Sequence, residues 1–328
     1  MTQTAGQERQ AAPGASPGDK QLSDKQADAR RRYVVMGAGA VGCYFGGMLA
    51  RAGVPVTLVG RATHVDAIRA NGLRLQTTSF DEQVAIDAST DASAVATADV
   101  ILFCVKSTDS ESTARQLQPL LKPGAVVLSL QNGVENAEIV RGVLTHTVIP
   151  AVVYVATEMA DPGHLLHHGR GELVIGESEA SAAIVADFAA AGVPVQVDAN
   201  VMGALWAKLI VNCAYNAMSA IAQKPYGELV KVAGIPELMS AVVDECLAVA
   251  RADGITVPGD PYEAVRRIAG SMAGQYSSTA QDVARGKPNE IDYLNGYVVR
   301  HGRAHDIATP INQTLLSLVK LVEKTERD

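Results

Sequence analysis

Lys208, Asn212 and Asn216 stand four residues apart in turn within residues 205–220, L-W-A-K-L-I-V-N-C-A-Y-N-A-M-S-A. On a helix this spacing places all three in one stripe. Leu, Ile, Val, Cys and Met surround that stripe. A lysine and two carboxamides are costly to bury without partners, and a stripe that faces a cleft resolves the cost. A desolvated lysine also gives up part of its proton affinity, which suits a proton donor near neutral pH. A second polar stretch covers residues 276–296, Y-S-S-T-A-Q-D-V-A-R-G-K-P-N-E-I-D-Y-L-N-G. Ser277 or Ser278 can cap a helix there. Glu290 opens another apolar-patterned helix, where a carboxylate favours the dipole. Capping alone accounts for both groups, so residue type leaves capping and chemistry equally open.

The other chemical signal lies near the start, in Y-V-V-M-G-A-G-A-V-G-C-Y-F-G-G-M-L-A-R-A-G-V-P-V-T-L-V-G-R, residues 33–61. An apolar run long enough for a buried strand leads into Gly37, Gly39 and Gly42, spaced G-x-G-x-x-G. A helix-forming run and a second apolar strand follow. This is a strand, glycine turn, helix and strand of the length a dinucleotide site requires. Gly37 permits the tight turn, Gly39 lets backbone approach a pyrophosphate, and Gly42 lets the helix pack closely on the sheet. The helix N-terminus offers free N–H groups to phosphate. Gly37, Ala38, Gly39, Ala40, Val41 and Gly42 are therefore the expected cofactor loop. The second strand ends at Gly60-Arg61 rather than on an acidic residue. An arginine there accepts a 2′-phosphate, which favours NADP over NAD.

These residues need a scaffold, and the rest of the first half supplies its pattern. Residues 64–70 are expected to form a helix with Thr63 before it as cap, and Asn71-Gly72 turns the chain. Residues 73–77 and 83–86 are short strands. Residues 99–105, D-V-I-L-F-C-V, form a strand buried on both faces. Residues 108–121 form a helix and 125–130 another buried strand, ending in Gln131-Asn132-Gly133. Strands alternating with helices imply a doubly wound parallel sheet of Rossmann type. Ligands sit beyond the carboxyl ends of such strands, where Lys106 and Asn132 fall. Lys106 suits ribose or phosphate, and Asn132 suits the nicotinamide ribose or the substrate. A strand near 147–155 and a hairpin around Asp161-Pro162-Gly163 follow, then a helix at 182–191 and a strand at 193–197. His164, His167 and His168 in the hairpin lack a nearby cysteine or regular acidic partner, so no metal is expected.

From Asn200 the pattern is helical throughout. Leu238, Val242, Cys246 and Val249 recur at helical spacing, as do Ile311, Leu315, Leu318 and Val322. The expected organisation is a disordered tail over 1–30, a Rossmann-type NADP-binding domain over 31–199 and an all-helical substrate and catalytic domain over 200–328. The tail holds only Met1 and Leu22 as large aliphatics. That is too little apolar surface to offset ordering entropy, and it lacks the apolar core of a signal peptide.

Composition narrows the partners. The chain has 328 residues, 48% of them hydrophobic, with a net charge of −7. It is long enough for two domains with sizeable cores. An acidic balance argues against nucleic acid or an anionic membrane as partner, and no apolar run reaches spanning length. Four scattered cysteines, Cys43, Cys104, Cys213 and Cys246, read as free thiols in a cytoplasmic protein. A homodimer is compatible with the sequence, which does not set the oligomeric state.

Beyond the tail, the whole chain resembles the ketopantoate reductase (2-dehydropantoate 2-reductase) family. The matching pieces are G-A-G-A-V-G, Val105-Lys106, Gln131-Asn132-Gly133, W-A-K-L-I-V-N-C-A-Y-N, and S-S-T-A-Q-D followed by N-E-I-D-Y-L-N-G. The resemblance implies NADPH-dependent reduction of ketopantoate to pantoate, a step of pantothenate and coenzyme A biosynthesis. It implies Lys208 as proton donor and Asn212 and Asn216 as substrate contacts. Ser278 would hold the substrate carboxylate, and Glu290 would lie near cofactor and substrate. Arg61 would meet the 2′-phosphate, while Lys106, Asn132 and the Ala156 backbone would touch the cofactor. One position departs from the family pattern. Tyr226 precedes Gly227-Glu228-Leu229 where the family often has an asparagine of the substrate pocket, and a phenol is larger. The rival readings are a related reductase of another 2-oxo acid or an imine, and a non-catalytic NADP sensor. A sensor would have no need of the lysine–asparagine stripe.

Overall fold

The computed structural model describes residues 30–323. The expected disorder of the tail, residues 1–30, lies outside the described residues except at Arg30, whose side chain donates to the Gly53 carbonyl. The first half alternates strands and helices: β1 (Tyr33–Met36), α1 (Ala40–Arg51), β2 (Val56–Val59), α2 (Ala62–Asn71), β3 (Leu73–Gln76), β4 (Asp81–Val84), β5 (Asp87–Ser89) and β6 (Val100–Phe103). There follow α3 (Ser110–Leu117), β7 (Val126–Ser129), α4 (Asn136–Arg141), β8 (Thr147–Asp161), β9 (His164–Ile175), α5 (Ser181–Ala190) and β10 (Val195–Val197).

Six strands lie parallel in the order β5, β2, β1, β6, β7, β8. These central strands are near-continuous apolar runs because helices cover both faces. One face packs on α1 and α5 through Phe45, Leu49, Ile184 and Phe188. The other packs on α3 and α4 through Ala114, Leu117, Ala137 and Val140. β9 returns antiparallel to β8, β3 and β10 pair parallel with β9, and β4 pairs antiparallel with β3. The extended sheet therefore reaches α1 from a second side, which explains the glycines of that helix. A Cβ on Gly46 would stand 2.7 Å from Val35 Cγ2, and one on Gly47 would stand 2.9 Å from Leu73 Cδ2.

The second half contains helices and no strand among the described residues: α6 (Val201–Ala222), α7 (Tyr226–Leu229), α8 (Ile235–Ala252), α9 (Pro261–Ser271), α10 (Ser278–Ala284), α11 (Asn295–Ala304) and α12 (Pro310–Val322). The 22-residue α6 is the axis of this half, packed on α8, α10 and α12 and, on its remaining side, on β8. Among the described residues no helix is long and apolar enough to cross a membrane.

Four local readings are corrected. Thr63 lies inside α2, whose N-cap is Arg61. The three-residue β5, Asp-Ala-Ser, adds an edge strand that its polar sequence does not announce. Glu290 does not open an α-helix. It precedes a single 3₁₀ turn, Ile291–Tyr293, which its side chain does not cap. On α12 the buried face is Asn312, Leu315 and Val319, while Leu318 and Val322 are exposed. Asn312 occupies a core position because Glu245 accepts from both its backbone N–H and its amide, and Asn295 donates to its side-chain oxygen.

Candidate active site

The glycine turn behaves as three separate positions. Gly37 has φ +109, and a Cβ there would stand 2.7 Å from the Cys104 carbonyl carbon. Strand β6 ends against this turn, so nothing larger than hydrogen fits. A Cβ on Gly42 would stand 2.2 Å from the Gly37 carbonyl oxygen and 2.7 Å from Val35 Cγ1. Gly39, the N-cap residue of α1, has nothing within 4 Å of its Cβ position and no side-chain cap on the helix. The free N–H groups of α1 thus point into a cradle that a Cβ at Gly39 would begin to fill. A dinucleotide pyrophosphate fits that cradle. Arg61 follows β2, exposed, and its side chain makes no hydrogen bond among the described residues. Ala38, Ala40 and Val41 complete the loop.

The long helix α6 carries the lysine stripe. Lys208 Nζ donates to Asn132 Oδ1 at 2.8 Å and to the Val153 carbonyl at 2.6 Å. The ammonium therefore joins the helical half to the loop after β7 and to β8. Burial lowers its pKa to about 8. The positive charge of Arg170 contributes to that lowering, and the carboxylate of Glu290 opposes it. A lysine poised there is mostly protonated at neutral pH yet gives up its proton far more readily than an ordinary lysine, as a general acid should. Asn212 is half-buried and its amide makes no hydrogen bond among the described residues. Asn216 is buried, and its side-chain oxygen has no partner among the described residues. Buried amide oxygens are nearly always hydrogen-bonded, so this one is suited to a ligand donor.

The serines separate cleanly. Ser277 is fully buried; its hydroxyl donates to the Asn216 carbonyl and accepts from the Ala280 N–H, capping α10. Ser278, one residue on, is exposed. Glu290 reaches across to the first half, accepting from the Ser107 N–H at 2.9 Å and the Ser107 hydroxyl at 2.7 Å. Lys106 pairs with Asp282 of α10 at 2.7 Å. Arg285 pairs with Glu158 at 3.0 Å, and Arg300 with Glu135 at 2.6 Å. Polar contacts thus line the whole seam between the two halves. Ala156 lies on β8 opposite Gly169, between two register shifts of the β8–β9 pair.

Several contributors escaped the residue-type reading. Gln131 is buried, donating to the Val105 carbonyl and the Ser110 hydroxyl, and so fixes the turn that carries Asn132. Asn136 donates to the Asn132 carbonyl at 2.6 Å. Ser107, Asp282 and Arg170 are the others. Their only sequence signal is adjacency to Lys106, Gln281 or the hairpin. The Tyr226 ring packs in the helical core, 4.7 Å from the Tyr215 ring between centroids. His164, His167 and His168 bond Gln76, the Arg170 carbonyl and Glu158 respectively. A cavity of about 470 Å³ lies between the β8–β9 hairpin and α10, bordered by Thr157, Glu158, Gln223, Gln281 and Arg285. The lysine stripe does not line it, so the chemistry is placed by Lys208 and its partners rather than by this cavity.

Comparison with known proteins agrees with this layout. Residues 33–180 match the family described as "Ketopantoate reductase PanE/ApbA", and residues 200–323 match "Ketopantoate reductase PanE/ApbA C terminal". A 2-dehydropantoate 2-reductase of Halobacterium salinarum is 36% identical over 301 residues, covering 89% of this chain and 99% of that one. One from Vibrio cholerae is 33% identical, covering 89% and 98%. Among solved structures, a PanE/ApbA family ketopantoate reductase from Ralstonia eutropha JMP134 is 60% identical with a TM-score of 0.87, covering 89% of this chain and 98% of that one. A D-mandelate dehydrogenase solved with NADH, 24% identical with a TM-score of 0.81, shares the fold. With both of its halves matched in order, the chain belongs to the ketopantoate reductase family.

Proposed function

We propose that the chain reduces 2-dehydropantoate to pantoate, with NADPH as the reductant and Lys208 as the proton donor. The observation that carries this reading is the Lys208 ammonium, fixed by Asn132 and the Val153 carbonyl in the seam between the two halves, with a pKa lowered to about 8. When bound, the reduced nicotinamide supplies the hydride to the ketone carbon. Gly37, Ala38, Gly39, Ala40, Val41 and Gly42 would hold its pyrophosphate, with Lys106, Asn132, the Ala156 backbone and Glu290 as further contacts. Arg61, with no side-chain hydrogen bond of its own, would take the 2′-phosphate.

Lys208 then gives its proton to the developing alkoxide. Asn132 and Val153 hold the ammonium by two of its three N–H bonds, which leaves one to aim at the oxygen. Asn216, whose side-chain oxygen is unpartnered among the described residues, and Asn212 orient the substrate along the stripe, and Ser278 takes a carboxylate oxygen. The seam separates the 31–199 and 200–328 domains, and its closure excludes water from the reacting groups. Reduction needs protonated Lys208, so the rate falls as pH rises through about 8.

Tyr226 favours a second reading of the substrate. Its ring lies against Tyr215 in the core, where the family often places a pocket asparagine. A 2-oxo acid with an apolar end would tolerate the loss of that amide. The test is loss of the reduced-nicotinamide absorbance on adding 2-dehydropantoate or other 2-oxo acids, with NADPH and NADH compared. Fastest turnover of 2-dehydropantoate with NADPH is the expected result. Faster turnover of an apolar 2-oxo acid would replace the substrate and keep the mechanism. No turnover with any oxo acid would overturn the reaction.

A further inference from the structure

The β8–β9 hairpin carries an arginine that this chemistry has not absorbed. Arg170 has φ +61, between Gly169 at +145 and Gly171 at +142. A β-carbon disfavours that left-handed backbone, and glycine is its ordinary occupant. The kink is braced from below. His167 donates Nε2–H to the Arg170 carbonyl at 2.7 Å, and the His167 ring stacks on Tyr44 of α1 at 4.5 Å. Gly171 sits so close to Tyr44 that a Cβ there would stand 2.2 Å from its hydroxyl. The backbone is thus pinned in a shape that an arginine side chain occupies at a strain. Strained residues of this kind gather where a side chain must be aimed.

The side chain is aimed at the lysine seam. The Arg170 guanidinium lies 4.4 Å from the centroid of the Tyr154 ring, and Lys208 Nζ lies 6.0 Å from the same centroid. The Val153 carbonyl that holds Lys208 is one residue before Tyr154. Two cations therefore flank one aromatic ring. Among the described residues Arg170 has a single carboxylate partner, Glu172, at a long 3.5 Å, and Glu172 accepts a shorter bond from the Gly171 N–H at 2.8 Å. Its side chain stays half-exposed. The charged and titratable groups around Lys208 are Arg170 from β9, Tyr154 from β8 with Glu172 beyond it, and Glu290 from the helical half; Asn132 is neutral.

We propose that Arg170 is a specificity and positioning residue, whose guanidinium receives the carboxylate of the 2-oxo acid beside Lys208 and whose charge holds the ammonium ready to release its proton. A guanidinium offers the planar fork that a carboxylate matches. Its charge opposes that of Lys208, which agrees with the direction in which it moves the lysine. The first role rests on the reductase reading above. The second is testable without turnover.

The experiment uses Arg170→Gly, which relieves the backbone strain, and Arg170→Lys, which keeps the charge. In Arg170→Gly, Tm should hold or rise, while KM for the oxo acid rises about 10- to 100-fold, as for one lost charge-assisted bond, and KM for NADPH stays put. The basic limb of the kcat/KM profile should move to higher pH, because removing a neighbouring cation raises the Lys208 pKa. Arg170→Lys should restore the limb and only part of the KM. Lys208 itself is followed by ¹³C reductive methylation and NMR titration, with Lys208→Arg assigning its resonance. An upward shift in Arg170→Gly, reversed in Arg170→Lys, is expected there too. An unchanged oxo-acid KM and an unmoved titration overturn the inference, as does a fall in Tm with both KM values unchanged. A rise in the NADPH KM instead overturns it in favour of a cofactor phosphate. If the unmodified protein turns over no oxo acid, the reductase reading fails by itself, and the titration still decides the electrostatic role.

Discussion

Around Gly37 to Gly42, every constraint comes from a few residues of sequence and from the neighbouring ends of β1 and β6. Around Lys208, the partners come from positions 76 and 55 residues away, and Glu290 meets Ser107 across 183. The first site is shaped by what is absent, side chains that would clash or fill the cradle. The second is shaped by what is brought together, polar groups from separate elements in a seam that strengthens their interaction. A local site is tuned by sterics and reports on stability and cofactor binding. An assembled site is tuned by charge and reports on rate and pH.

The largest effect separates the two at once. Lys208→Ala should lower kcat by about 100- to 10,000-fold, the range of a lost general acid. NADPH binding, read by fluorescence titration, should barely change, because the glycine cradle contains no atom of Lys208. A loss of NADPH affinity as large as the loss of kcat would show that the two regions act as one site.

The glycines sharpen the comparison from the other side. Gly42→Ala drives a methyl to 2.2 Å from a carbonyl oxygen and should destabilise by about 1–3 kcal/mol, seen as a lower Tm. Gly39→Ala meets no protein atom within 4 Å, so Tm should not move. It should still weaken NADPH by about tenfold or more, roughly 1.4 kcal/mol of lost approach. Equal Tm losses in both variants would mean that Gly39 is structural after all.

This contrast also explains what could be read in advance. The glycine turn, the buried strands and the stripe on α6 are visible because each is a local pattern: a fixed glycine spacing, a continuous apolar run and a helical period. Asn132 is legible as a strand-end residue, but nothing in Gln131-Asn132-Gly133 says that its oxygen will hold Lys208. Glu290 looks like the start of a helix because a carboxylate is common there. Its true partner, Ser107, lies in another element and leaves no trace nearby. On α12 the apolar period points to Leu318 and Val322, whereas the core takes Asn312, made acceptable by Glu245. Hydrophobic pattern cannot find a polar residue whose burial is compensated from a different helix. The kink at Arg170 is hidden for the same reason, since its brace is His167 stacked on Tyr44.

Glu290 tests the charge side more finely. Its carboxylate raises the Lys208 pKa against burial and Arg170. Glu290→Gln removes that support, so the lysine should deprotonate more easily. The basic limb of the reduction profile should then move to lower pH, opposite to the shift expected for Arg170→Gly. A limb that moved upward, or the same way in both variants, would mean that the profile does not report Lys208.

The smallest effect falls on the ion pair that crosses the seam. Lys106 is half-exposed and bonded to Asp282, and an exposed pair of this kind contributes about 0.2–1 kcal/mol. If Lys106 is a cofactor contact, it must divide its charge between Asp282 and the cofactor. Asp282→Asn should then tighten NADPH by a factor of about 1.5 to 5, the same energy expressed as affinity. If the pair instead serves to hold the halves together around the bound dinucleotide, the same substitution weakens NADPH and loosens the seam. The sign of a small change in Kd thus decides whether Lys106 belongs to the local site or to the assembled one, and a lysine at the carboxyl end of β6 is placed where it can serve either.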